Sequence, residues 1–362
     1  MHEMTRPADA GAEAGAVRGD LLSCYSTATA GLLRSFGVPD VLVFGTQLFL
    51  AVRRSGDLME FLHYHTPLTG DGDLYRVDLE RRGAAEPEAA AEAIARHARE
   101  AGAAIVTGRT THLPWIETGN GVEPAPHWFL VTPGEPGTLL VDDRFRWTDD
   151  AGTHPGFVGT VPAPRVGPFA WSPLPVSAEQ ASRERWALGD RRERPPWSDE
   201  RPWQWLEAGG RVPPGAGAAE FAAAMLARTA DARIVDPHVA AHGWAAGRAA
   251  FDALHDWLEN GLADPARYRH NNDFWVAARN RKMVAASLRH ARLPGRDGGG
   301  LTELGDWAAE RLVPSWTALV RALHYNARRV AAGGAPRPGV LDSLRAIADL
   351  EDGFRQRLGG LL

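Results

Sequence analysis

Two apolar rhythms divide this chain, and their order limits the folds open to it. Up to about residue 165 the apolar residues come mainly in short, strand-length runs punctuated by Gly and Pro. From Ala218 onward they recur at three- and four-residue spacing nearly to the end. A set of strands followed by a set of helices predicts an α+β chain: a helix and antiparallel sheet first, then an all-α part. At 362 residues the chain is also too long for one ordinary core, so two domains are expected.

Within that frame, Cys24–Phe36 reads as a helix, with Ala28, Leu32, Leu33 and Phe36 on one face and Gly37 and Pro39 as its stop. Val41–Phe44, Phe49–Val52, Leu58–His65 and Tyr75–Leu79 read as strands, and Pro87–Ala101 as an Ala-rich helix. Ala103–Thr107 is expected to be a buried strand, and Trp128–Val131 with Leu139–Val141 a hairpin turning at Pro133–Gly137. The stretch holding Pro195, Pro196, Trp197, Trp203 and Trp205 reads as a connector wrapped on the surface. Helices are then expected around Ala222–Leu226, Phe251–Leu258, Phe274–Leu288, Leu304–His324 and Val340–Leu358, with Gly298–Gly300 and Gly333–Gly334 as breaks. The predicted organisation is a loose arm over 1–20, a first domain over 21–165, a connector over 166–216 and a helical domain over 217–362.

Several functional classes are disfavoured at once. A net charge of −5 is wrong for a protein whose main partner is nucleic acid. No apolar run reaches bilayer length, and the first twenty residues lack the apolar core of a signal peptide, so the expected compartment is the cytoplasm. One cysteine excludes an internal disulfide and every multi-cysteine metal site.

That cysteine, Cys24, falls in the first turn of the first predicted helix, where unpaired backbone N–H groups and the positive end of the dipole favour a thiolate. Read by position alone, a lone cysteine is more often a small buried hydrophobe. A nucleophile needs a base and a group to orient it. His127 opens a predicted strand whose hairpin partner ends in Asp142–Asp143. By alternation Asp143 shares a face with Leu139 and Val141 and is the preferred orienting residue, with Asp142 in reserve. Read singly, His127 caps a strand and the aspartates begin a turn. His63 with His65, and His238 with His242, have spacings a metal could use, but no third ligand is identifiable, and no metal site is expected. His270–Asp273 reads as a helix cap, with Asn272 or Asp273 as acceptor. The pairs Arg53–Arg54, Arg281–Lys282 and Arg328–Arg329 read as solvated faces.

The segment Cys24–Leu50, CYSTATAGLLRSFGVPDVLVFGTQLFL, resembles the opening of the butirosin-biosynthesis H protein family. Ala103–Trp115, ending in Leu113–Pro114–Trp115, and Pro126–Asp143, HWFLVTPGEPGTLLVDD after its proline, are similar to that family in order and spacing. The Cys/His/Asp set also resembles bacteriocin-processing peptidases of papain-like fold. The resemblance implies a papain-like acyltransferase domain followed by the helical domain that accompanies it. It implies a cysteine-dependent acyl transfer from an acyl carrier protein thioester to a small-molecule amine in natural-product biosynthesis, through an acyl-Cys24 intermediate. The enzyme itself would bind no cofactor, the phosphopantetheine belonging to the carrier; a homodimer is compatible with the sequence. A thioesterase, amidase or peptidase of the same fold, or a catalytically silent scaffold, would share these features. Two departures stand out: Thr46–Gln47 replaces a glycine-rich stretch after Phe44–Gly45, and no Gln precedes Cys24. The oxyanion would then fall to the Cys24 N–H and a second donor, for which Gln47 is the candidate.

Overall fold

The structure, a computed structural model, describes residues 23–36, 48, 50–62, 78–116, 125–149, 152–172, 178, 201–209, 223, 226, 227, 229, 243–289, 291 and 298–362. In chain order its elements begin with α1 (Cys24–Ser35), β1 (Ala51–Ser55), β2 (Leu58–Leu62), β3 (Asp78–Ala84), α2 (Pro87–Ala101) and β4 (Ala104–Arg109). Next come β5 (Pro126–Pro133), β6 (Thr138–Asp143), β7 (Trp147–Asp149), β8 (Gly152–His154), β9 (Phe157–Pro162), the short α3 (Val166–Phe169), β10 (Trp203–Gly209) and β11 (Ala245–Ala246). The chain finishes with α4 (Arg248–Glu259), α5 (Asn271–Leu288), α6 (Gly299–Trp307), α7 (Val313–Ala331) and α8 (Gly339–Leu361). The fold is mixed α+β, with antiparallel sheets and a helical C-terminal region. No helix among the described residues is long and apolar enough to cross a membrane.

Of the described residues, 23–36, 78–172 and 201–209 form one compact unit. Its sheet runs β3-β10-β4-β5-β6-β9, every neighbour antiparallel. Strict alternation along β5 splits its side chains between the two faces. Phe129 and Val131 join Ala90, Ile94 and Ala98 of α2 in one core, with Val106, Val141 and Trp205. Trp128 and Leu130 point the other way, to α1: the Tyr25 ring meets Trp128 edge-on at 5.5 Å, and Gly31 lies against Leu130.

α1 buries every residue from Tyr25 to Leu33, polar ones included. Those polar groups are satisfied within the helix: the Thr27 and Thr29 hydroxyls donate to the carbonyls of Ser23 and Tyr25, each at 2.8 Å. Ser23 is the N-cap, its Oγ accepting from the Ser26 N–H at 3.2 Å.

Two expectations about this unit need correcting. Trp203–Gly209 is not surface connector but strand β10, wedged between β3 and β4 with Trp205 opposite Val106. Its partners lie about a hundred residues upstream, and the nearby prolines made the segment read as a connector. Conversely, β1 and β2 do not belong to the first unit. They pair with each other and with β11, Ala51 opposite Ala246, and Leu50, Val52, Met59 and Phe61 enter the core of the helical unit. The predicted strand Val41–Phe44 and most of the predicted helix at 222–226 lie outside the described residues.

In the helical unit, α5 starts earlier than expected. Asn272 and Asp273 sit inside it, with His270 at the N-cap position, and the Asp273 carboxylate pairs with the His270 ring at 3.0 Å. Gly299 and Gly300 begin α6, where the Thr302 N–H and hydroxyl both reach the Gly298 carbonyl. The single helix expected over Leu304–His324 is α6 and α7 joined by a π turn, Ala308–Leu312. Pro314, in the first turn of α7, lacks the N–H that a regular α-turn would use there, and the wider turn accommodates this. At the centre, Glu351 of α8 accepts from Arg281 of α5 (2.8 Å), Trp316 of α7 (2.9 Å) and Arg355 of α8 (3.2 Å).

Candidate active site

The site is built where β5 begins. β4 ends at Arg109, and the chain leaves the sheet through a 3-10 turn, Thr110–His112. Thr110 ties the two ends of this excursion together: its N–H donates to the Ala125 carbonyl at 3.0 Å, and its hydroxyl accepts from the Ala125 N–H at 3.1 Å. The chain therefore re-enters the sheet in a fixed register, with His127 directly opposite Gly108. Gly108 is required there by space, since a Cβ would collide with the Phe169 carbonyl oxygen. Gly108→Ala is expected to lower stability by about 1–3 kcal/mol through this overlap, read as a shifted denaturation midpoint.

His127 and Asp143 are both nearly sealed, 2% and 3% exposed. Register places Leu130 opposite Asp142 and Val131 opposite Val141, so Asp143 falls on the Phe129 face together with His127. The imidazole Nε2 meets Asp143 Oδ2 at 2.7 Å. Asp143 is thus the residue that orients His127. The reserve candidate, Asp142, points to the opposite face, where Arg144 donates to it at 3.1 Å. Burial pushes the Asp142 carboxyl above its ordinary range, against the pull of Arg144 and Arg34.

Cys24 closes the set. It occupies the first helical position of α1, half-buried, and its sulfur lies within hydrogen-bonding reach of the imidazole. With Nε2 engaged by Asp143, Nδ1 is the nitrogen left for the sulfur. Burial alone would lower the His127 pKa, but the charge and hydrogen bond of Asp143, aided by Cys24, raise it from 6.5 to about 10. His127 therefore holds its proton across the neutral range. Such a site can present a sulfur nucleophile beside an imidazolium, with first-turn N–H groups to meet a developing oxyanion.

Sequence reasoning missed two members of this cluster. Trp115 donates its indole N–H to the same Asp143 oxygen at 2.7 Å. The signal was present in kind, because a tryptophan that is not exposed needs a partner for its N–H, but the partner was not legible. Phe145, whose ring lies 5.8 Å from His127, was likewise unforeseen. Gln47, His63, His65, His238 and His242 lie outside the described residues.

Among the described residues, one other group could bring ligand atoms together: His255, Asp256 and Glu259, within 4.8 Å of one another. They sit on one stretch of α4, both carboxylates exposed, at 3.7 and 3.9 Å from Nδ1. That spacing is that of loose ion pairs on a helix surface.

No family model matches the chain, and a search of the curated proteins finds no match either.

Proposed function

We propose that this chain is a cysteine-dependent acyltransferase of papain-like fold that forms an amide from a carrier-bound acyl thioester and an amine. The observation that carries the reading is the Cys24 sulfur beside an imidazole that is itself held by a buried carboxylate. The resemblance to the butirosin-biosynthesis H protein family supplies the donor and acceptor classes.

In the first step the Cys24 thiolate attacks the thioester carbonyl. The tetrahedral oxyanion is met by the Cys24 backbone N–H, and the carrier thiol leaves with the proton from His127. Thioester exchange is nearly isoenergetic, which makes an acyl-cysteine a low-cost intermediate. In the second step the amine attacks the acyl-cysteine carbonyl. Its proton passes to neutral His127, the amide departs, and Cys24 is expelled as thiolate beside a restored imidazolium. Asp143, bonded to Nε2, fixes which imidazole nitrogen faces the sulfur.

Mass spectrometry of the chain after incubation with an acyl-phosphopantetheinyl carrier protein is the direct test. One acyl group is expected on Cys24, released to an added amine and stable in buffer, and none on Cys24→Ala. Rapid loss to water would assign hydrolysis instead, and no acylation at all would leave a scaffold. The chain carries a single cysteine, so any thiol adduct reports this site alone.

A further inference from the structure

The Asp143 carboxylate is held unevenly. Both donors, the His127 ring and the Trp115 indole, converge on Oδ2 at 2.7 Å, while Oδ1 is buried with no hydrogen-bond partner among the described residues. With His127 as the only donor the carboxylate could pivot about its Cβ–Cγ bond. The indole supplies a second anchor at the same oxygen. Trp115 is itself immobilised by three aromatic neighbours from three elements. Phe157 of β9 stacks on it at 4.8 Å, and Phe129 of β5 and Phe169 of α3 meet it edge-on at 5.3 and 5.2 Å. A rigid ring with its one polar atom aimed at a carboxylate is what positioning requires, and side-chain packing alone does not call for that aim.

We infer that Trp115 is a positioning residue of the site, its indole N–H locking the Asp143 carboxylate in the orientation that holds the His127 ring facing Cys24. The inference rests on the acyltransferase reading only insofar as both require the Cys24–His127 pair. The charged and titratable groups bearing on His127 are Asp143 from β6 and Cys24 from α1. Its register neighbour on β4 is the uncharged Gly108, and the adjacent ring is Phe145.

The test uses alkylation of the full chain by iodoacetate against pH. An anionic reagent reacts fastest while the thiolate has an imidazolium beside it, and slows when His127 loses its proton. The wild-type rate should fall only near pH 10. In Trp115→Phe that fall should move down by about one pH unit. Added to Asp143→Asn, the Trp115→Phe change should do nothing further, because it acts through the carboxylate. Should Trp115→Phe fold poorly, the Trp115→benzothienylalanine variant keeps the ring area and removes only the N–H. An alkaline fall that stays put or moves upward in both variants, or effects that add in the double variant, would overturn the role of Trp115. A wild-type profile with no alkaline fall at all would instead remove the Cys24–His127 pair, and with it the acyltransferase reading.

Discussion

Asp143→Asn should move the alkaline limit of Cys24 reactivity down by about 1–3 pH units and slow acyl transfer by about 10²- to 10⁴-fold. The asparagine keeps the shape and can still accept from Nε2, so the change removes charge with little change in packing. The charge matters because burial alone would lower the pKa of His127, and Asp143 is the main force reversing that. The same linkage fixes the pH dependence of stability. A histidine whose folded pKa exceeds its unfolded value of 6.5 contributes stability that is fully present below 6.5 and lost as pH rises through about 10. Wild type should therefore lose stability between neutral pH and pH 10, while Asp143→Asn changes less over that window. Denaturation midpoints at pH 7 and pH 9.5 measure it. Parallel slopes for the two proteins would mean that the ion pair does not form.

Much of this site was legible before the fold was known, for reasons that are local. Cys24 at a helix tip follows from apolar spacing and the Gly37–Pro39 stop. The choice of Asp143 over Asp142 follows from the two-residue period of a strand. Pro87–Ala101 was readable to the residue because Pro opens the helix and Gly102, at a φ of 89°, ends it. What stayed hidden depends on distant partners. Trp203–Gly209 has no clear two-residue period, and only β3 and β4 make it the interior of a sheet. Phe49–Val52 and Leu58–His65 read as strands wherever they sit, and nothing local says that Leu50, Val52, Met59 and Phe61 share a core with helices two hundred residues on. Trp115 belongs to the same class, since its N–H finds a partner 28 positions away.

The second large effect is expected in the helical unit. Glu351 is 0% exposed and joins α5, α7 and α8 through Arg281, Trp316 and Arg355. Burial would push its carboxyl up, but the two guanidinium groups outweigh that and hold it below the ordinary glutamate value. Its stabilising share is thus present above pH 4.5 and lost as pH falls through the lower folded value. Glu351→Ala would strand the Arg281 guanidinium, also 0% exposed, in a low-dielectric core and take the acceptor from the Trp316 N–H. A cost of about 3–5 kcal/mol is expected, read by chemical denaturation followed in the far-ultraviolet circular dichroism of the helices. Removing both charges, in Arg281→Met with Glu351→Leu, should recover most of that loss, because desolvation of two ions then no longer opposes folding. Arg355 keeps Asp352 as a second carboxylate at 3.6 Å, so the double change does not leave it without one. A double variant as unstable as Glu351→Ala would show that the network's geometry matters to the packing of these three helices beyond its net charge.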